Sequence, residues 1–185
     1  QAFDAVPRHL FVPEAVRHRA YEDVALPLGH GQTISRPGVH ALHLQLAELG
    51  GGERVLEVGT GSGFQTALLG HLVAEVFSIE VVPAIADQAA QALADFGASR
   101  IQLRTGDGSV GWPEHGPYDR ILVGAAAPAI PGELQEQLSD GGRMLIPIGD
   151  DKGQELLLVV RHGVEHEIVT VDNSRFVPLV GEGGW

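Results

Sequence analysis

The chain has 185 residues, of which 44% are hydrophobic, and it contains no cysteine. This composition suits one domain with a full core, and the lack of cysteine excludes disulfides, thiolate metal sites and cysteine nucleophiles. The net charge of −12 argues against a nucleic-acid binder, which needs a basic face, and no apolar run is long enough to span a membrane.

Residues 1–50 hold three segments with helical patterns, at 2–6, 13–20 and 39–49, which we expect to form a cap over one edge of a sheet. Before the third lies GHGQTISRP, residues 29–37, which is rich in glycine and hydroxyl groups. This stretch is either a linker to a helix that Pro37 starts or the substrate side of an active site.

Strand and helix patterns alternate from residue 54 onward. This alternation predicts βαβ units and a mainly parallel sheet, whose ligands lie at the carboxyl ends of the strands. The last two predicted strands form a hairpin that turns at His162 and Gly163. The predicted strands are 54–58, 76–80, 101–104, 118–123, 143–148, 155–161 and 164–171, and the predicted helices are 63–73, 83–96 and 131–138.

A glycine-rich loop follows the first of these strands and opens a helix. It contains Glu57, Gly59, Thr60, Gly61 and Gly63, and its position indicates a ligand-binding loop, with a tight turn that binds nothing as the alternative. The Gly-x-Gly-x-Gly spacing differs from the dinucleotide fingerprint. Glu57 would repel a pyrophosphate but attract an α-ammonium group. These features favour S-adenosylmethionine, which carries an ammonium, a sulfonium and no phosphate.

Acidic residues mark the ends of the next two strands. Glu80 can accept hydrogen bonds from both ribose hydroxyls, unless it is only a surface charge. Asp107, followed by Gly108, can accept from an adenine amino group, although Asp and Gly alone are only a turn signal. The agreement of signals at three successive strand ends predicts an adenosyl-ligand site.

Seven motifs in this chain resemble the protein-L-isoaspartate O-methyltransferase family. The glycine loop alone indicates only a class I methyltransferase, whereas GHGQTIS and RFVPLVG are more specific. The resemblance implies an α/β, Rossmann-like class I fold: a seven-stranded, mainly parallel sheet, its last strands in altered order, with helices on both faces and an N-terminal helical cap. The motifs cover nearly the whole chain in the family's order: VPRHLFVPE (6–14), AYED (20–23), LPLGHGQTIS (26–35), VLEVGTGSGF (55–64), GDG (106–108), AAAP (125–128) and RFVPLVG (175–181).

The resemblance also implies an activity. Such enzymes transfer a methyl group from S-adenosylmethionine to the free α-carboxylate of L-isoaspartyl residues in damaged proteins, which leaves S-adenosylhomocysteine and starts repair through a succinimide. The family implies a cytoplasmic monomer, and we expect no nucleic-acid or membrane partner. Two alternatives stay open: a methyltransferase of the same fold acting on a small molecule, and a non-catalytic module that binds an adenosyl ligand.

The site residues follow from the matching motifs. Ser35 is the expected catalytic residue, as the hydroxyl that holds the substrate carboxylate. No strong general base is expected, because a carboxylate is already ionised at neutral pH. The resemblance assigns Gln32, Thr33, Ser35, Phe176 and Val177 to the substrate, and it adds Thr33, Ile34, Ser35 and Val180 to the cofactor residues Glu57, Gly59, Thr60, Gly61, Gly63, Glu80, Asp107 and Gly108.

Some positions depart from the family's pattern, namely Val24, Arg36 and Gly124, and the last two are expected to affect substrate affinity. The family's first helix begins before the position of Gln1, so the resemblance predicts preceding residues. We expect one methyltransferase domain over 1–185. Its parts are a helical cap with the substrate loop (1–50), a cofactor-binding core (51–150) and a hairpin with the wall of the substrate cleft (151–185).

His40 and His43 are three residues apart on the predicted helix 39–49, a spacing compatible with a metal. The apolar stripe of that helix, Val39, Leu42, Leu46 and Leu49, predicts that His40 lies on the opposite side and His43 on the flank. We therefore expect no metal site, although relatives with a histidine at the position of His40 leave a minor cofactor role open.

Overall fold

The computed structural model describes residues 2–185, and its first part consists of short elements. Helix α1 (Ala2–Ala5) is followed by 3-10 helices at Arg8–Phe11 and Glu14–Arg19. The helical segment predicted at 13–20 is therefore present as a 3-10 helix. No residue of that 3-10 helix is buried, so no apolar face stabilises a longer α-helix there.

The stretch 29–37 is not a plain linker but half of a β-hairpin and the start of a helix. Strand β1 (Leu26–Gly29) pairs antiparallel with β2 (Gln32–Ile34), and Pro37 begins α2 (Pro37–Ala47). His30 and Gly31 form the two-residue turn with φ of 52° and 73°, the left-handed geometry that such hairpins need. Gly29 and Gly31 thus shape the hairpin, and a Cβ at either position would meet nothing within 4 Å.

The remaining elements follow the predicted alternation. The predicted helix 131–138 is shorter, at Gly132–Glu136, and the strand predicted at 143–148 begins earlier, at Leu138, where it pairs with Tyr118. In chain order the elements are β3 (Arg54–Val58), α3 (Phe64–Leu72), β4 (Glu75–Glu80), α4 (Pro83–Phe96), β5 (Ile101–Thr105), β6 (Tyr118–Val123), β7 (Ala125–Ala126), α5 (Gly132–Glu136), β8 (Leu138–Gly149), β9 (Gln154–His162), β10 (Glu165–Asp172) and β11 (Val177–Pro178).

Seven strands form the central sheet, in the order β10-β9-β8-β6-β3-β4-β5. The five strands from β8 to β5 are parallel, and the hairpin of β9 and β10 adds two antiparallel strands at one edge. The predicted architecture, a seven-stranded, mainly parallel sheet with a terminal hairpin, is confirmed. The chain reverses direction across the sheet between β3 and β6, which is where ligands bind in such folds.

The core lies on both sides of this sheet. Leu56 and Val58 of β3 join one cluster with Leu134 of α5, whereas Val55 joins another with Ala47 of α2 and Leu69 of α3. This alternation along β3 is the period of two that a strand covered on both faces shows. Within residues 2–185, no helix is long and apolar enough to cross a bilayer.

Candidate active site

A cavity opens at the carboxyl ends of β3, β4 and β6. The hairpin β1–β2, helix α2 and strand β11 surround it, so segments far apart in the sequence meet there. Its lining residues are Gln32, Thr33, Ile34, Ser35, Val39, His40, His43, Glu57, Val58, Gly59, Thr60, Gly61, Ser62, Gln65, Ile79, Glu80, Val81, Gly108, Gly124, Ala125, Phe176, Val177, Pro178, Leu179 and Val180. All the predicted site residues are among them except Gly63 and Asp107.

The glycine loop forms one side of this cavity. Gly59, Gly61 and Gly63 have φ of 93°, 54° and 82°, a region that other residues rarely adopt. The loop is held against β4, because the backbone amides of Gly59 and Thr60 donate to the carbonyl of Ile79 at 2.8 and 3.2 Å. Gly63 lies behind the cavity as the cap of α3, where a Cβ would come within 3.1 Å of Leu93.

Glu80 ends β4 and connects the glycine loop to the following helix. Its Oε2 accepts from the Gly61 amide at 2.9 Å, and its Oε1 accepts from the Val82 amide at 3.0 Å. The side chain is 5% exposed and lines the cavity. Each carboxylate oxygen can accept a second hydrogen bond, so the arrangement leaves capacity for two ligand hydroxyls.

Glu57 lies beneath the loop with no exposed surface. Its carboxylate accepts from the hydroxyl of Thr66 at 2.5 Å, the hydroxyl of Ser78 at 2.7 Å and the amide of Gln65 at 3.1 Å. Burial raises the pKa of Glu57 to about 7, although these hydrogen bonds act in the opposite direction. The residue therefore supplies a buried negative charge to the cavity floor at alkaline pH.

The prediction that His40 lies opposite the buried face of α2, with His43 on its flank, is wrong. His40 and His43 are 8% and 1% exposed and both line the cavity, whereas Leu42 and Leu46 are only partly buried. The two histidines are buried because this face of α2 borders the cavity, where polar rings occupy positions that apolar side chains would fill against a packed neighbour. Burial lowers the pKa of His40 to about 3 and that of His43 to about 4, so both are neutral.

The histidines leave polar atoms without partners. Nε2 of His40 and both ring nitrogens of His43 are buried and make no hydrogen bond within the described residues. Residues 2–185 contain no group of three or more His, Asp or Glu side chains that is arranged to hold a metal. The free nitrogens instead fit an organic ligand that carries both hydrogen-bond donors and acceptors.

The hairpin β1–β2 forms another side of the cavity, and the motif AYED positions it. Asp23 of that motif accepts from the Gly38 amide at 2.8 Å, which caps the first turn of α2 directly after Ser35. Arg36 forms an exposed ion pair with Asp23 at 3.1 Å. The sequence offered a signal for this cap, an acidic residue followed by a proline-started helix, but the separation of 15 positions between Asp23 and Gly38 conceals it.

The RFVPLV stretch forms the facing wall. Strand β11 pairs in parallel with β7, where Val177 is opposite Ala125, and this brings the stretch beside the cavity. Gln154 of β9 fixes its start, since its side-chain amide accepts from the Phe176 amide at 2.7 Å and donates to the Phe176 carbonyl at 3.1 Å. The Phe176 ring stacks on His43, with centroids 5.7 Å apart and an interplanar angle of 12°.

A second groove continues outward from the cavity. It shares Thr33, Ser35, Val39, Gly124, Phe176 and Val177 with the cavity and extends past Arg36 and Asp172 to Arg175. Two of the positions that depart from the family's pattern, Arg36 and Gly124, therefore line a route from solvent to Ser35.

Asp107 is not brought to the cavity surface. Its Oδ1 accepts from the amide and hydroxyl of Ser109, and its Oδ2 accepts from the Glu182 amide at 2.8 Å. Burial raises the pKa of Asp107, but these hydrogen bonds outweigh it and lower the pKa overall. In this structure Asp107 fastens the C-terminal turn, while its neighbour Gly108 lines the cavity.

Comparisons with known proteins agree with this geometry. Residues 1–184 match the family described as Protein-L-isoaspartate(D-aspartate) O-methyltransferase (PCMT). A protein named Protein-L-isoaspartate O-methyltransferase 1, from Anaeromyxobacter sp. (strain Fw109-5), is 51% identical over 187 residues, which covers 100% of this chain and 88% of that relative. A namesake from Trichlorobacter lovleyi (strain ATCC BAA-1151 / DSM 17278 / SZ) is 48% identical, covering 100% and 86%.

Two solved structures are also similar. One, described as a protein-L-isoaspartate O-methyltransferase, has a TM-score of 0.91 and 29% identity, and the match covers 99% of this chain and 61% of that one. A Plasmodium falciparum protein, described as a complex with S-adenosyl-L-homocysteine, has a TM-score of 0.85 and 24% identity, with 97% and 88% covered. Both have the fold described above.

Proposed function

The chain belongs to the protein-L-isoaspartate(D-aspartate) O-methyltransferase family, and from this membership we propose how its cavity performs the family's reaction. The enzyme transfers a methyl group from S-adenosylmethionine to the free α-carboxylate of L-isoaspartyl residues in damaged proteins. The observation that carries the proposal is that the glycine loop, the GHGQTIS hairpin and the RFVPLV stretch line one cavity. Each of these segments is expected to contact either cofactor or substrate.

The glycine loop side binds the cofactor. S-adenosylmethionine supplies an activated methyl group on a sulfonium when it is bound. Glu80 accepts from the ribose hydroxyls with the lone pairs that Gly61 and Val82 leave free. Glu57 attracts the cationic end from beneath the loop and acts through its hydrogen-bonded neighbours, because its carboxylate is fully buried. Ile34, Thr60, Gly108 and Val180 complete this side, and a contact from Asp107 to the adenine stays a prediction.

The hairpin side binds the substrate. Ser35 donates a hydrogen bond to the isoaspartyl carboxylate, and Gln32, Thr33, Phe176 and Val177 border the peptide. A carboxylate has an ordinary pKa near 4, so the nucleophile is already ionised and needs no base. The chain's task is to hold its oxygen in line with the methyl group and to exclude water, and such alignment contributes several kcal/mol.

The wider organisation is part of the same proposal. Residues 1–185 act as one methyltransferase domain, with cap, core and cleft wall at 1–50, 51–150 and 151–185. The family resemblance supports a monomer that works in the cytoplasm, and the net charge of −12 disfavours a nucleic-acid partner. Light scattering on a sizing column tests the monomer directly, since a dimer would double the mass of 19.6 kDa.

Methyl transfer to a matched pair of peptides tests the function. The two peptides have one sequence and differ only in an isoaspartyl or an aspartyl linkage. We expect radiolabelled methyl groups to appear on the isoaspartyl peptide alone and to be released as the ester closes to a succinimide. Equal labelling of both peptides, or binding of S-adenosylhomocysteine with no transfer to either, would contradict the proposal.

A further inference from the structure

Three buried side chains form a hydrogen-bonded chain under the cavity. Glu57, Gln65 and His40 are 0%, 7% and 8% exposed, and they come from β3, α3 and α2. The Oε1 of Glu57 accepts from Nε2 of Gln65 at 3.1 Å, and the Oε1 of Gln65 lies 3.1 Å from Nδ1 of His40. One amide side chain thus connects a carboxylate to an imidazole.

The carboxylate sets the direction of this chain. An ionised carboxylate has only acceptors, and Glu57 accepts from the hydroxyls of Thr66 and Ser78 as well. Gln65 must therefore turn its NH2 group to Glu57, and its oxygen faces His40.

An amide oxygen at Nδ1 determines which nitrogen of His40 carries the hydrogen. The ring is neutral, because burial lowers the pKa of His40 to about 3, so only one nitrogen is protonated. That nitrogen is Nδ1, which must donate to Gln65. Nε2 is then a bare acceptor, and it has no partner within residues 2–185 although its ring lines the cavity.

We propose that Gln65 is a positioning residue. Its NH2 group donates to Glu57, so its oxygen accepts from Nδ1 of His40 and holds that imidazole as the Nδ1–H tautomer. Nε2 is thereby presented as an acceptor to a donor group of the bound cofactor. The identity of that donor rests on the proposed function, and the α-ammonium group of S-adenosylmethionine has the matching chemistry. The tautomer itself does not depend on the reaction.

One competing arrangement exists at the same ring. The carbonyl of Ser35 also faces His40 and favours its protonated form, so a hydrogen on Nε2 directed at this carbonyl would give the opposite tautomer. The structure favours the Nδ1–H form, because Nδ1 is within hydrogen-bonding distance of Gln65 whereas Nε2 makes no hydrogen bond.

Nitrogen NMR on the whole chain distinguishes the two tautomers. Histidine is labelled with 15N and measured without ligand at a pH well above 7, where Glu57 is ionised. The 15N shift separates a nitrogen that bears hydrogen from a bare one, and the signals that disappear in His40→Leu identify His40. We expect the hydrogen on Nδ1, and a hydrogen on Nε2 in the unaltered protein would overturn the proposal.

Variants show whether Gln65 is the cause. Gln65→Leu keeps a similar volume and removes both hydrogen bonds, so the hydrogen should move to Nε2, the position that an unconstrained imidazole favours in water. Gln91→Leu, at an exposed site on α4, is the matched control and should leave the His40 signals unchanged. The same His40 tautomer in Gln65→Leu as in the unaltered protein would overturn the proposal. If Gln65→Leu fails to fold, Glu57→Gln serves instead, because an amide that both donates and accepts should give a mixture of tautomers.

Calorimetry with S-adenosylhomocysteine tests the consequence for binding. Gln65→Leu should bind it about fivefold more weakly, the scale of one net hydrogen bond, with the KM for isoaspartyl peptide unchanged at saturating cofactor. Unchanged affinity in a variant whose tautomer has changed would overturn the cofactor contact. A methyl-transfer assay distinguishes failure of the positioning role from failure of the proposed function. An active enzyme whose His40 carries its hydrogen on Nε2 contradicts the positioning role alone. An inactive enzyme whose His40 carries its hydrogen on Nδ1 contradicts the function alone.

Discussion

The proposed cofactor side and the proposed substrate side of the cavity are built in different ways. On the cofactor side, the glycine loop, Glu57 and Glu80 belong to one βαβ unit, and their contacts join residues about 20 positions apart or fewer. On the substrate side, the hairpin next to Ser35 faces β11, which is held by β7 and by Gln154. Most of the cofactor side is thus a property of a local motif, which Ile34, Gly108 and Val180 complete, whereas the substrate side exists only when the whole chain is folded.

This contrast implies that the two sides can be disabled separately. Substitutions on the substrate side should change peptide turnover and leave cofactor affinity intact, and those in the glycine-loop unit should do the reverse. Glu57 is the exception to look for, because its hydrogen bonds extend through Gln65 to helix α2 of the other side.

The largest effect is expected for the pH dependence of stability at Glu57. Burial raises its pKa to about 7 from an ordinary value of 4.5, so the folded protein holds this proton more tightly than the unfolded chain. Its contribution to stability is complete below pH 4.5 and is lost as the pH rises to about 7, by about 3 kcal/mol. Relative to Glu57→Gln, the unaltered protein should lose this much free energy of unfolding in urea between those pH values.

The comparison with Glu57→Gln is needed because other groups titrate in the same range. The lowered pKa values of His40 and His43 make stability rise with pH through the acidic range, up to their ordinary pKa of 6.5, the opposite direction. The burial that lowers these two pKa values is common to both proteins, so its contribution cancels in the difference. If the free energy of unfolding changes with pH in the same way in the two proteins, Glu57 titrates alike in the folded and unfolded states.

Ser35→Ala is expected to disable the substrate side alone. Loss of the hydroxyl that holds the carboxylate should lower kcat/KM for an isoaspartyl peptide by about 10²-fold, or about 2.7 kcal/mol of transition-state stabilisation. Calorimetry should show S-adenosylhomocysteine binding within about 1 kcal/mol of normal. Ser139→Ala on β8 is the control, and near-normal turnover of Ser35→Ala would mean that another group holds the carboxylate.

Glu80→Ala is the converse change on the cofactor side. Removing the carboxylate should weaken S-adenosylhomocysteine binding by about 1–3 kcal/mol, because a buried charged acceptor is lost and the Gly61 amide loses its partner. Peptide KM at saturating cofactor should stay unchanged. Glu75→Ala, at the start of the same strand, is the matched control. Unchanged affinity in Glu80→Ala, or tight binding of NAD, would contradict the cofactor assignment.

Gln154→Leu should give the smallest effect, because it acts through the backbone of Phe176. Without the paired hydrogen bonds the cleft wall loosens, and peptide KM should rise about fivefold, the scale of one net hydrogen bond. S-adenosylhomocysteine affinity should not change. Gln102→Leu on β5, at the opposite edge of the sheet, is the control. A lowered melting temperature together with weaker cofactor binding would show that Gln154 only stabilises the fold.

The sequence predicted the elements that depend on local patterns. The strand at 54–58 and the helix that Pro37 starts follow from periodicity and proline. The terminal hairpin was also predicted, although its turn is formed by Gly163 and Val164, one residue later than expected. It did not predict the burial of His40, because an apolar stripe cannot show that a cavity covers the polar face. Nor did it reveal Gln154 or Asp23, since each acts on a backbone group at least 15 residues away and only the fold brings them together.

A crystal structure with S-adenosylhomocysteine and an isoaspartyl peptide tests the account most directly. We predict the ribose hydroxyls on Glu80, the peptide along the groove between the hairpin and Phe176, and the isoaspartyl carboxylate within hydrogen-bonding distance of the Ser35 hydroxyl. A carboxylate held by another side chain, or a peptide bound away from both the hairpin and β11, would contradict the division of this cavity into a cofactor side and a substrate side.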